Sequence, residues 1–108
     1  MKIITLCGST KFKNIFLKIN KKLTLQGNIV LMPGFFGHAD NEFPDEKVKQ
    51  KLDELHFRKI DLSNGIYVID VGGYVGYSTR NEIVYAEKLG KEIIYYSKES
   101  GSEGNENN

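Results

Sequence analysis

Residues 66–71, Ile-Tyr-Val-Ile-Asp-Val, are apolar with almost no polar alternation. A strand with one wet face alternates. A strand without alternation is covered on both faces, as in a parallel sheet enclosed by helices. Parallel neighbours in turn need long crossover connections, usually helical. The rest of the chain supplies them. Residues 2–7 form a first strand that ends in Gly8-Ser9-Thr10, a turn and helix start. Phe12, Phe16, Ile19 and Leu23 follow at helical spacing, and Gly27 stops that helix. Residues 28–32 form a second strand, stopped by Pro33-Gly34. Asp45 caps a second helix with Val48, Leu52, Leu55 and Ile60 directed inward, and Asn64-Gly65 breaks the chain before the 66–71 strand. A glycine loop, residues 72–77, leads to a third helix that starts near Ser78-Thr79 and ends at Leu89, and residues 92–96 form a fourth strand. This β-α-β-α-β-α-β order predicts a doubly wound α/β fold with the strand order 2-1-3-4.

At 108 residues the chain is long enough for one domain, and it carries 15 Lys+Arg against 14 Asp+Glu. That balance gives no broad basic footprint, so no nucleic-acid polymer is expected as partner. No apolar run reaches the ~18–20 residues of a bilayer span. The single cysteine, Cys7, has no disulfide partner, and no Cys/His spacing of a zinc module is visible. The amino end lacks a secretory apolar region. A cytoplasmic protein with no membrane partner, no metal and no organic cofactor is expected. Residues 1–96 read as the folded domain and residues 97–108 as a disordered polar tail rich in Gly, Ser, Glu and Asn.

Doubly wound sheets bind ligands beyond the carboxyl ends of their strands, at the point where strand order reverses. Here that point lies between strands 1 and 3, and it nominates two loops. Gly8, Ser9 and Thr10 offer backbone N–H groups at a helix start, suited to a phosphate or a sugar hydroxyl; helix capping explains them equally well. Gly73 and Gly76 permit close backbone approach, and Ser78, Thr79 and Arg80 open the next helix into the same crevice. Lys11 and Arg80 make a phosphate plausible. Glu82, in that helix, reads either as the closing residue of a Thr79–Glu82 capping box or as a carboxylate facing the site. Asp70 ends the third strand at the same edge. Asp61 reads as an ion-pair partner of Arg58, His56 as structural, and Cys7 as a small buried apolar residue. The irregular segment 34–45 holds Phe35, Phe36, His38 and Phe43, which suit base stacking, a lid or a subunit contact.

Taken together, the strand ending in Cys-Gly-Ser-Thr, the IYVIDV strand, the glycine loop and the stretch Ser78–Tyr96 resemble the nucleoside 2-deoxyribosyltransferase family. The resemblance covers most of residues 2–96 and is firmest at the amino end and over Asp61–Tyr96. It implies a flavodoxin-like (Rossmann-like) three-layer sandwich with four or five parallel strands. It also implies a homodimer or higher even oligomer and a small-molecule nucleoside or nucleotide substrate. Members cleave or transfer the N-glycosidic bond of a deoxynucleoside or its 5′-monophosphate through a glutamate nucleophile, which falls on Glu82. The sugar or phosphate contacts fall on Gly8, Ser9, Gly76 and Ser78. The sequence departs from the family in two places. Asn64 stands where an acid often assists the departing base and cannot donate a carboxylic proton, so Asp61 or Asp70 could substitute; Asn64 and Asp70 are the candidate helpers of Glu82. Thr5 replaces an aromatic hydroxyl. These departures motivate an alternative, a catalytically diminished nucleotide-binding or sensing module of the same fold.

Overall fold

The two most apolar runs become the central strands of a four-stranded, all-parallel sheet in a computed structural model that describes residues 1–99. Strands β1 (Ile3–Gly8), β2 (Ile29–Leu31), β3 (Gly65–Ile69) and β4 (Glu92–Tyr95) are ordered β2-β1-β3-β4, as the alternation predicts. Helices α1 (Lys13–Leu25), α3 (Glu46–Asp61) and α4 (Tyr77–Lys88) are the crossovers. A one-turn helix α2 (Gly37–Asp40) lies within the segment read as irregular. The architecture is α/β and consistent with a flavodoxin-like fold.

Strand pleating assigns alternate residues to opposite faces. Ile4 and Leu6 of β1, with Tyr67 and Ile69 of β3, pack against Phe16, Ile19 and Leu23 of α1. Cys7, Ile66 and Val68 point the other way, toward Ile60 of α3 and Ala86 of α4. All five residues of β3 are buried, as its lack of alternation requires. In the β1–β3 register Cys7 lies beside Val68 and Gly8 beside Ile69. A Cβ on Gly8 would stand 2.9 Å from the Ile69 carbonyl oxygen, so only glycine lets the two strands stay this close where the cleft begins.

Three details depart from the sequence expectation. Helix α3 does not turn Val48 and Leu55 inward; they are 45% and 56% exposed, and its buried residues are His56 and Ile60. Only the carboxyl half of α3 rests on the sheet, while Leu52 and Leu55 overhang it and line a cleft. Helix α4 starts at Tyr77, with Gly76 as N-cap and no side-chain cap. Thr79 is therefore inside the helix and no capping box forms. Finally, Ser97 does not begin a free tail. Residues 96–99 form a helical turn whose Ser97 backbone N–H and hydroxyl each donate to the Asp70 carboxylate at 2.7 Å. The Tyr67 hydroxyl donates to Glu99 at 2.7 Å. The remaining positions expected in the tail, 100–108, lie outside the described residues. Among the described residues no helix is long and apolar enough to cross a membrane.

Candidate active site

A cleft of about 720 Å³ opens beyond the carboxyl ends of β1 and β3, within the ~300–1,000 Å³ typical of small-molecule sites. Three walls meet there: the β1–α1 turn, the start of α4, and an arm formed by residues 33–44 with the overhanging part of α3. The arm is tied down. The His38 backbone N–H donates to the Thr10 hydroxyl at 3.3 Å, and Lys13 pairs with Asp40 at 2.9 Å. Phe36 anchors it in the core, edge-on to Phe16 at 5.2 Å. Phe35 and Phe43 then face the cleft.

Of the residues nominated from sequence, Gly8, Ser9, Thr10, Gly76, Ser78, Thr79 and Glu82 do line the cleft. Ser9 also acts as a cap, its hydroxyl accepting from the Lys11 N–H at 3.3 Å. The backbone N–H groups at the start of α4 have no side-chain cap, which leaves a positive helix end facing the cleft.

Four nominated residues do not line it. Asn64 sits at the amino edge of the sheet, where its side-chain oxygen accepts from the Ile3 N–H at 2.7 Å. The length of β1, about 16 Å at ~3.3 Å per residue, separates it from the cleft. Asp70 is at the correct edge, but both its carboxylate oxygens are engaged by Ser97. Gly73 lies in a short 3-10 turn with φ 82°, beside Gly72 at φ 63°. Arg80 is exposed on the far side of α4. The cationic groups at the cleft are Lys49 and Lys59 rather than Lys11 and Arg80. Lys59 donates to the Met32 carbonyl at 2.8 Å, and Lys49 pairs with Asp53 at 3.1 Å. Lys11 instead lies over the Tyr74 ring, 3.9 Å from its centroid. The expected Arg58–Asp61 pair forms at 3.2 Å. Asp61 also accepts from the Tyr85 hydroxyl, and that bond holds the Tyr85 proton on, raising its pKa.

Glu82 projects from the second turn of α4 and is 9% exposed. Cys7 and His56, which read from the sequence as structural residues, surround it. The Cys7 thiol lies 3.5 Å from His56 Nε2, and His56 Nε2 lies 3.9 Å from Glu82 Oε1. One ligand atom from each of the three falls within 4.8 Å of the others. Burial dominates their protonation. It pushes the Glu82 carboxyl up to about 8, opposed by a hydrogen bond from Cys7 and the Lys49 charge and reinforced by Asp53. Burial and the Lys59 charge lower His56 to about 4, against a bond to the Leu6 backbone and the Asp53 charge. Burial, then the proximity of Glu82, raises the Cys7 thiol well above its ordinary range. The His56–Glu82 contact is thus short enough for an ion pair, yet burial favours two neutral side chains near pH 7. The cluster is ordered by packing and is ready to gain or lose protons when a ligand arrives.

No sequence spacing announces this cluster. Its members come from β1, α3 and α4, 49 and 26 residues apart along the chain. The available signal was a His inside an otherwise amphipathic helix and a Cys on a mostly aliphatic strand. Comparison of the chain with protein-family models, curated proteins and solved structures finds no match.

Proposed function

We propose that this protein is a nucleoside 2-deoxyribosyltransferase-like enzyme that cleaves or transfers the N-glycosidic bond of a (deoxy)nucleoside or its 5′-monophosphate. The observation that carries the reading is Glu82: a buried carboxylate at the switch-point cleft, free of capping duty and facing an apolar cavity of nucleoside size. A buried carboxyl stripped of solvent is a strong nucleophile once ionised. Phe35 and Phe43 offer apolar ring surface for a base. Ser9, Ser78 and the open amino end of α4 suit sugar hydroxyls or a phosphate, with Lys59 supplying charge.

In this scheme Glu82 first gives up its proton to solvent, and the ionised carboxylate, the minor form near pH 7, attacks C1′. The base leaves with the electrons of the glycosidic bond and takes a proton from solvent. Water, or a second base, then attacks C1′ and gives up a proton to solvent as the ester bond breaks and the carboxylate is released. Helpers drawn from Asn64 or Asp70 play no part, since neither faces the cleft. The same protonated, buried Glu82 also favours a second reading, a nucleotide-binding module with diminished catalysis. The two separate in one experiment: intact-protein mass spectrometry after incubation with deoxynucleosides and their monophosphates, with free base measured in parallel. A deoxyribosyl adduct with free base, both absent in Glu82→Gln, is the expected result. Ligand-induced thermal stabilisation without adduct or free base would replace enzyme by binding module.

A further inference from the structure

We propose that Cys7 Sγ, His56 Nε2 and a Glu82 carboxylate oxygen form a three-ligand site for a thiophilic divalent transition metal of the zinc type, with the fourth position open to the cleft. The separations of 3.5 Å (Sγ to Nε2) and 3.9 Å (Nε2 to Oε1) are close to those of a tetrahedral centre. Bonds of ~2.3 Å to sulfur and ~2.0–2.2 Å to nitrogen and oxygen place ligand atoms about 3.3–3.6 Å apart. A small movement of the Glu82 side chain closes the set. The three residues are 0%, 7% and 9% exposed, and they stand on a central strand of the sheet and on two helices packed against it. The site is therefore held by the core rather than by mobile surface chains.

The ring of His56 is already oriented. Its Nε2 faces the cluster, 3.5 Å from the Cys7 thiol, and the Leu6 backbone also interacts with the ring. A ligating imidazole characteristically donates its other N–H to a carbonyl or carboxylate, which presents the ligating nitrogen as a lone pair. A donor set of one thiol, one imidazole and one carboxylate oxygen selects zinc-type ions over calcium or magnesium, which want several oxygens. On binding, the thiol proton, and the carboxyl proton where present, pass to solvent and two anionic ligands face the dication. His56 and Glu82 themselves line the cleft, so the open coordination position faces whatever occupies it. Glu82 cannot ligate a metal and attack C1′ at once. The metal therefore competes with glycosyl transfer, and this last step alone rests on the functional reading above.

The test is titration of the full-length, metal-free protein with Co²⁺, followed by absorption spectroscopy. One equivalent of Co²⁺ should produce a thiolate-to-cobalt charge-transfer band with the intense visible bands of four-coordinate cobalt, and Zn²⁺ should erase both. Cys7→Ser should abolish the charge-transfer band. Cys7→Ser and His56→Gln should each weaken binding by more than about tenfold. Zn²⁺ should raise the melting temperature of the parent but not of these variants. Absence of the thiolate band in the parent overturns the site whatever the variants do, as does undiminished binding in folded Cys7→Ser and His56→Gln. In the base-release assay, one equivalent of bound Zn²⁺ should suppress turnover; undiminished release with the metal bound overturns the competition. A thiolate band without any glycosidic activity leaves the metal site standing and removes the enzyme reading. Activity without the band does the reverse.

Discussion

The two faces of this sheet solve the same packing problem with different materials. On the α1 face, Ile4, Leu6, Tyr67 and Ile69 meet Phe16, Ile19 and Leu23, a side-chain layer that is hydrocarbon except for one tyrosine hydroxyl. On the α3–α4 face, Ile60, Ile66, Val68 and Ala86 share the interior with Thr5, Cys7, His56, Ser63, Thr79 and Glu82. The polar groups there are partnered. The Thr5 and Ser63 hydroxyls lie 2.6 Å apart, and Ser63 donates to the Lys59 carbonyl at 2.8 Å. A fold that needed only stability would build both faces like the first, since buried polar groups contribute little even when satisfied. The contrast separates the scaffold from the chemistry: α1 holds the sheet, and α3 with α4 holds the site.

The sharpest way to break the comparison is to damage each face in turn. Phe16→Ala should cost about 3–5 kcal/mol of stability through lost burial and a cavity, read as a lower denaturation midpoint at unchanged m-value. Co²⁺ binding by the fraction that remains folded should be unaltered, because no ligand stands on that face.

On the other face the expected signature is pH dependence rather than simple loss. The folded state holds the Glu82 proton up to about pH 8 while the unfolded chain releases it near 4.5. Its contribution is full below 4.5 and is lost as pH rises through 8. His56 runs oppositely: kept neutral down to about pH 4 against 6.5 when unfolded, it contributes fully above 6.5 and loses that as pH falls. Denaturant titrations of metal-free protein should show Glu82→Gln gaining on the parent as pH rises, by a few kcal/mol near pH 8. At pH 4 the two should coincide. A parent curve parallel to the variant across that range would remove the burial argument for Glu82.

The smallest effect tests whether the remaining polar groups on this face are merely tolerated. Thr5→Val should cost only about 1 kcal/mol, because Ser63 keeps its bond to the Lys59 carbonyl, and ligand binding should be unchanged in calorimetry.

The fold was legible because its signals are local. The unbroken apolar run at 66–71, the Phe12–Leu23 periodicity and the glycine stops each report on neighbours within a few residues. The switch-point rule pointed to the β1–α1 turn and the start of α4, both of which line the cleft, although Gly73 and Arg80 do not; topology follows from element order alone. What stayed hidden depends on distance and on choice of edge. Asn64 and Asp70 both flank a buried strand, yet one lies at its amino end and the other is occupied by a turn that the sequence read as tail. The inward face of α3 was only partly legible: Ile60 meets the sheet as expected, but Val48 and Leu55, which look like core residues, do not, and His56 does. Cys7 looks like one more small apolar side chain until His56 and Glu82 arrive from other elements. The Thr79–Glu82 spacing fits a capping box only if the helix starts three residues later than it does.

The grip of Ser97 on Asp70 has a practical consequence for anyone trimming this chain. An expression boundary drawn one residue past the last strand, after Tyr96, would remove the hydroxyl and N–H donors to the carboxylate of Asp70, a residue only 6% exposed. It would also remove the Glu99 acceptor of the Tyr67 hydroxyl. A fragment must run at least to Glu99 to keep these contacts.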